Sequence, residues 1–293
     1  MPPGEQLAPP SADVVYYNKE FLNKRDQKIY CYYWKPAEVP KAILLISHGF
    51  TEHCMMYDEL AHEMARRRFF VFAHDHMGHG HSEGTRAFMN CIHELVEDSV
   101  RHIKLVQEEY PNLPLFICGH SMGGSISLLT SLEKEIEVSG VVLIAPALAP
   151  NPETATFFKV MAVKLLNKFV PHFPVAVSDF GLSCQNGKKV EEMRNDPLRH
   201  HGYWKVRPVM CLLESGREIL NKSTDVNFPI LVLHGDNDKI CHLSGATRLY
   251  EKATSSDKTL KIYPGAYHSL LNEPEEIADD VFDQTVQWLE ERA

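Results

Sequence analysis

The chain has no uninterrupted apolar run of about 18 residues, the length that a membrane-spanning helix needs. It has no basic surplus either. Its 30 Lys and Arg stand against 39 Asp and Glu, a formal net charge of −9, so the electrostatic footprint of a nucleic-acid binder is missing. No C-x-x-C pair occurs among Cys31, Cys54, Cys91, Cys118, Cys184, Cys211 and Cys241. An odd count at scattered spacing reads as reduced, intracellular thiols rather than a disulfide frame or a zinc site. The opening MPPGEQLAPPSADV carries neither the basic stretch nor the apolar segment of a secretory signal. Residues 1–12, rich in Pro, are expected to be a disordered tail. No internal repeat is visible. The expectation is a cytoplasmic globular protein for which any membrane contact is peripheral, with a homodimer left open.

What is present is alternation of strand and helix. Residues 13–22 and 27–36 are rich in Val, Tyr, Ile, Phe and Trp with NKRD between them, which predicts a β-hairpin. KAILLISHG (41–49), FFVFAHD (69–75), LPLFICGHS (113–121), GVVLIAP (140–146), FPILVLHGDND (228–238) and KTLKIYPGAYH (258–268) are short apolar runs that end in turn residues. Such runs fit strands buried on both faces of a parallel sheet. Helical spacing fills the gaps at 56–68, 91–109, 122–134, 243–254 and 274–291; in the second of these Ile92, Leu95, Val96, Val100, Ile103 and Val106 share a face. The expected class is α/β, a mostly parallel central sheet with helices on both faces. The alternation stops after Pro146 and resumes near 226. Residues 147–225, helical and loop-like with several prolines, therefore read as an insertion into one body made of 13–146 and 226–293.

CGHSMGG (118–124) contains G-x-S-x-G, a pattern that chance alone produces in about one chain in ten of this length at average Gly and Ser usage. Its setting is more telling. A strand precedes Ser121 and a helix follows it, the context of a nucleophile elbow. Small residues at 119 and 123 allow the sharp turn, and the helix N-terminus behind the serine offers N–H groups to a developing oxyanion. A serine needs a base held by a carboxylate, and in this architecture the order is Ser, acid, His. His268, in PGAYHSLL, follows the last predicted strand. Asp238, in LHGDND, follows the preceding one, and Asp236 is its rival. The second oxyanion donor should come from SHGFTEH (47–53), through the N–H of Phe50 beside that of Met122. Glu52 and His53 either contact substrate or hold that loop together.

These residues together resemble the α/β-hydrolase superfamily and, within it, the monoacylglycerol lipase family. YWKP, SHG with EH, VFAHDHMGHGHSEG, GHSMGG, NPETAT, NDPL and DKTLKIYPGAYH carry the likeness, from about residue 14 to 291. The resemblance implies an α/β-hydrolase body with a helical cap at 147–225, hydrolysis of monoacylglycerols to fatty acid and glycerol at a membrane surface, and no cofactor. It implies Ser121, Asp238 and His268 as triad and Phe50 and Met122 as oxyanion hole. Glu52 and His120 are retained. The family's EHSGRY reads EHCMMY here, so its arginine is replaced by Met56. A family tyrosine before NSDPL is replaced by Met193 or Arg194, and a histidine three after the catalytic one by Leu271. Those positions line the glycerol end of the family's pocket, so the leaving alcohol is the open question. A lysophospholipase or general carboxylesterase on the same triad is the alternative, and a non-catalytic binding protein the more distant one.

Two other stretches invite separate readings. HDHMGHGHS (74–82) holds four histidines and Asp75, a pattern that a metal site would use, although no matching ligands occur at other strand ends, and the expectation is no metal. In TFFKVMAVKLLNKFV (156–170), Phe158, Met161, Ala162, Leu165 and Phe169 share a face, with Lys164 and Lys168 on another. That helix can pack on the body, or lean on a membrane and wall an acyl tunnel. Cys241, three residues after Asp238, is either a buried apolar thiol or a redox control point.

Overall fold

The computed structural model describes residues 13–293, so the tail expected over 1–12 lies outside the described residues. The first part of the chain runs β1 (Val14–Leu22), β2 (Lys28–Pro36), β3 (Ala42–Ser47), α1 (Asp58–Arg66), β4 (Phe69–His74), α2 (Ile92–Glu109), β5 (Leu115–His120), α3 (Met122–Ser131) and β6 (Gly140–Ile144). The segment after β6 holds α4 (Phe157–Phe169), β7 (Pro174–Val177), α5 (Gly187–Asn195), β8 (Tyr203–Lys205) and α6 (Val206–Asn221). The chain closes with β9 (Ile230–Gly235), α7 (Leu243–Lys252), β10 (Lys258–Tyr263) and α8 (Glu275–Glu290).

Eight strands form one sheet in the order β1-β2-β4-β3-β5-β6-β9-β10. The β1–β2 hairpin is antiparallel and joins β4 antiparallel, while every pairing from β4 to β10 is parallel. In β3, β4, β5, β6 and β9 the apolar runs are strands with both faces covered, whereas the edge strand β10 leaves Thr259 and Ile262 exposed. Along β3, Ile43 and Leu45 enter the core layer that α2, α3 and α7 cover, and Ala42, Leu44 and Ile46 enter the layer under α1 and α8. The first predicted helix starts later than its apolar spacing suggests. Residues 54–57 form a 3₁₀ turn, and α1 opens with Asp58 and Glu59, acidic residues suited to a helix N-terminus.

The segment after β6 holds two strands that its sequence reading did not include. β7 and β8 pair antiparallel as a separate two-stranded sheet. Its residues are largely exposed and too few to show an alternation. The segment has a small core of its own, Phe180, Cys184, Val190 and Met193. Its last helix, α6, is fused to the body, since Cys211, Ile219 and Leu220 belong to the same cluster as α2 and α3.

Candidate active site

Ser121 sits between β5 and α3 with φ 53° and ψ −116°, a strained conformation for a residue with a Cβ. It is held there by its backbone, with Ser121 N donating to Ile144 O at 3.0 Å and Ala147 N to Ser121 O at 3.0 Å. The glycines on either side make the turn feasible. A Cβ on Gly119 would lie 2.4 Å from Gly123 O, and one on Gly123 2.0 Å from Ser47 O. Without them the start of α3 could not lie against the end of β3.

His268, in the loop after β10, reaches Ser121 Oγ through Nε2 at 2.8 Å and Asp238 Oδ2 through Nδ1 at 2.7 Å. Asp238 Oδ1 accepts from the N–H groups of Ile240 (2.7 Å) and Cys241 (2.9 Å). Burial alone would raise this carboxyl. The imidazole of His268, His234 and the Ile240 N–H outweigh burial and hold it below its ordinary value, as the anion. Asp236 does not take part: it is exposed and accepts from Gly265 N at 2.6 Å, closing the turn. Two supports had no sequence signal that singled them out. Asn151 Nδ2 donates to Asp238 O at 2.6 Å. His234 Nε2, donating to Cys241 O, stands 3.5 Å from Asp238 Oδ2.

The loop after β3 is folded around Glu52. Its Oε2 accepts from Gly49 N (2.8 Å), Tyr57 Oη (2.7 Å) and His120 Nδ1 (3.1 Å). Burial opposes charge on both members of the Glu52–His120 pair, yet each favours the other's charged form: the Glu52 carboxyl lies well below its ordinary value and the His120 imidazole above its own. His120 Nε2 also donates to His268 O at 3.3 Å, so the pair braces the backbone that carries His268. Phe50, on the same loop, is buried and packs edge-on against Trp204 at 5.1 Å. Met122, the first residue of α3, is fully buried directly behind Ser121. His53 is buried, does not line the cavity and hydrogen-bonds Asp196 Oδ2 at 2.7 Å.

Ser121, His268, Phe50, Glu52 and His120 all line one cavity of about 550 Å³. Its far wall is apolar, built from Leu148, Val163, Leu166, Val175, Trp204 and Leu212. Cys241 also lines it; burial first, and then Asp238, push its thiol up well above the ordinary range, so it stays protonated. Met56, Met193 and Leu271, expected at the polar end, are not among the side chains that line the cavity. Met193 is in the small core of the inserted segment, and Met56 and Leu271 pack against the layer under α1 and α8. Met56 still borders the polar end of the cavity, its Sδ lying 3.1 Å from Arg199 Nη1. Arg194 is exposed. The residue that does reach this end is Arg199, which lines the cavity 3.8 Å from Glu52 Oε1.

Helix α4 uses two faces. Val160, Val163 and Leu166 turn to the cavity. Phe158, Met161, Leu165 and Phe169 turn outward and are exposed by 82%, 46%, 64% and 69%.

The histidine-rich loop is taken up by the protein itself. His74 Nδ1 meets His102 Nδ1 at 3.1 Å, His76 Nε2 meets Ser47 Oγ at 3.0 Å, and His79 Nδ1 donates to Met77 O. Asp75 accepts from Tyr32 Oη, Cys54 N and His81 N. His48, Cys54 and Asp75 are close enough to share an ion. The carboxylate is already triply engaged, however, His48 Nε2 accepts from His76 N, and burial keeps the Cys54 thiol protonated.

Residues 38–275 match the family described as serine aminopeptidase, S33. The chain is 41% identical over 271 residues to the monoglyceride lipase of Homo sapiens, covering 92% of this chain and 89% of that protein. It is 31% identical over 256 residues to the monoacylglycerol lipase of Mycolicibacterium smegmatis, covering 87% and 90%. A solved structure, a soluble variant of monoglyceride lipase from Saccharomyces cerevisiae in complex with a substrate analog, superposes with a TM-score of 0.83 at 22% identity, over 100% of this chain and 98% of that one. The fold is thus that of the α/β-hydrolases.

Proposed function

The chain belongs to the serine aminopeptidase S33 family and, within it, to the monoglyceride lipases, and from there we propose that it is a serine hydrolase that cleaves monoacylglycerols to fatty acid and glycerol. The observation that carries this reading is the continuous hydrogen-bond line Ser121–His268–Asp238, with Ser121 and His268 on the wall of an apolar cavity wide enough for an acyl chain.

In this reading Ser121 Oγ attacks the ester carbonyl carbon and its proton passes to His268 Nε2. Asp238 orients the imidazole and stabilises the imidazolium. The N–H groups of Phe50 and Met122 take the oxyanion. As the C–O bond breaks, His268 gives the proton to the leaving alcohol. Water then repeats the sequence on the acyl-enzyme and frees the fatty acid. The scheme draws only on the chain's own groups and water.

Hydrolysis of a monoacylglycerol, a lysophosphatidylcholine and a p-nitrophenyl ester of one acyl chain, measured side by side, tests the substrate. The expected order puts the monoacylglycerol at least about tenfold above the lysophospholipid in kcat/KM, since a pocket built for hydroxyls discriminates through unpaired polar groups. The reverse order would move the assignment to a lysophospholipase and leave the acyl-transfer chemistry standing.

The outward face of α4 supports a peripheral membrane contact at the cytoplasmic side, with Met161, Leu165 and Phe169 in the acyl region and Lys168 at the headgroups. Among the described residues no helix is long and apolar enough to cross a membrane. Leu165→Glu with Phe169→Glu should cut flotation with anionic liposomes severalfold, while a soluble p-nitrophenyl ester reports an intact site. Unchanged flotation removes the membrane reading. A second copy of the chain is the other cover for this face, and sedimentation of the same variants separates the two.

A further inference from the structure

Arg199 lines the cavity beside Glu52, and neither the motifs nor the family pattern announced it. It follows α5, in NDPLRHHG, and its segment is tied to the body on several sides. His200 N donates to Thr51 O at 3.2 Å, Arg86 Nη2 to Leu198 O at 3.1 Å, and Asp196 bonds His53 at 2.7 Å. These ties set the Arg199 side chain beside the loop that carries Phe50 and Glu52. There it is 6% exposed and lines the cavity.

Its donors are poorly satisfied. Nη1 points at Met56 Sδ at 3.1 Å, a weak acceptor, and Nη2 stands 3.8 Å from Glu52 Oε1, beyond hydrogen-bond reach. Nε is buried with no partner at all. The guanidinium carbon lies 5.0 Å from the centre of the Phe180 ring, which fixes its plane without supplying an acceptor oxygen. A buried guanidinium left this way is costly unless an occupant supplies oxygens. Glu52 sharpens which occupant. Its Oε2 is spent on three donors, whereas Oε1 faces the guanidinium at the longer distance. An anionic headgroup would be attracted by Arg199 and repelled by Glu52. A hydroxyl can accept from Arg199, and a neighbouring hydroxyl can donate to Glu52 Oε1.

We propose that Arg199 reads the alcohol half of the ester in this chain, supplying from after α5 the guanidinium that Met56 no longer offers, and that with Glu52 it selects a neutral polyol leaving group over a bare alkyl one. The proposal rests on the monoacylglycerol reading and names the residue that makes it specific.

The test is the ratio of kcat/KM for a glyceryl ester over the methyl ester of the same acyl chain. Wild type should favour the glyceryl ester, and Arg199→Met should lower that ratio on the order of 30-fold, mostly through KM, the scale of one hydrogen bond to a charged group. Arg199→Lys keeps the charge but not the fork and should recover only part of it. Returning the guanidinium from the other side, Met56→Arg with Arg199→Met, should recover more than Arg199→Met alone. Fluorophosphonate labelling of Ser121 in each variant reports a folded site, and the swap variant carries the test if Arg199→Met does not fold. An unchanged ratio in Arg199→Met, with both esters falling together, would make Arg199 structural and overturn the proposal while leaving the substrate reading intact. A wild-type enzyme with no preference between the two esters would overturn both.

Discussion

Ser121→Ala should lose on the order of 10⁴-fold or more in kcat on a monoacylglycerol, about 5.5 kcal/mol of barrier. The size follows from the arrangement. Ser121 Oγ is the atom that His268 Nε2 meets at 2.8 Å, so its removal takes away the nucleophile and leaves the base with nothing to deprotonate. Groups that act as a unit lose nearly everything when one goes. What persists is the rate that binding and the backbone donors provide over water. The substitution should leave the fold alone. The strained turn is held by Ser121 N to Ile144 O and Ala147 N to Ser121 O, both backbone bonds, and alanine keeps the Cβ that this conformation already tolerates. Turnover with matched melting curves and loss of fluorophosphonate labelling check it. Activity within tenfold of wild type would end the assignment of Ser121.

Acidification from pH 7 to pH 5 should destabilise the protein by about 4 kcal/mol through His74 and His79 alone and lower its melting temperature by at least about 6 °C. His48, His74, His76, His79 and His102 are all buried in the neutral form. Burial lowers every one of them, to about 3 for His74 and about 4 for His79; neighbouring histidines push His48, His76 and His102 the same way. Protonation would also leave new donors stranded, since His74 Nε2, His76 Nδ1 and His79 Nε2 have no partner now. In the unfolded chain each returns to about 6.5. Between those values the unfolded state binds protons that the folded state refuses. Stability is therefore complete above about pH 6.5 and falls as the pH drops towards the folded-state values. At pH 5 His74 and His79 each contribute about 2 kcal/mol of loss, and burial pushes His48, His76 and His102 in the same direction. His120 acts in the opposite sense, because Glu52 raises it, but it is one group against five. Melting followed from pH 7.5 to 4.5 measures the slope; a melting temperature level down to pH 5 would refute it.

Local order made much of this molecule legible. The apolar runs announced β3, β4, β5, β6 and β9 because each is buried on both faces, and a strand, a serine between nearby glycines and a helix are contiguous in sequence. The β7–β8 sheet was not legible, because exposed strands of three or four residues have no pattern to display. The four histidines at 74–82 read as a metal-like cluster in one dimension. In three dimensions ring nitrogens of the cluster go to protein partners instead: His74 to His102 on α2, His76 to Ser47 on β3, and His79 to Met77 O in its own loop. The residues named for the polar end of the pocket, Met56, Met193 and Leu271, were placed by matching a pattern. The structure sets them in apolar clusters and brings in Arg199, whose partner Glu52 lies on a loop far away in sequence.

By itself the sequence determined the α/β class, the elbow at Ser121, and a histidine and an acid following in the order that this chemistry requires. Those depend on neighbours along the chain and on the alternation of buried and exposed positions. Which aspartate meets His268, which side of α4 faces the cavity, and which cation stands beside Glu52 were decided only when the sheet brought loops from distant strand ends together. Contacts of that kind join residues up to 148 positions apart, as His120 and His268 are, and no local periodicity encodes them.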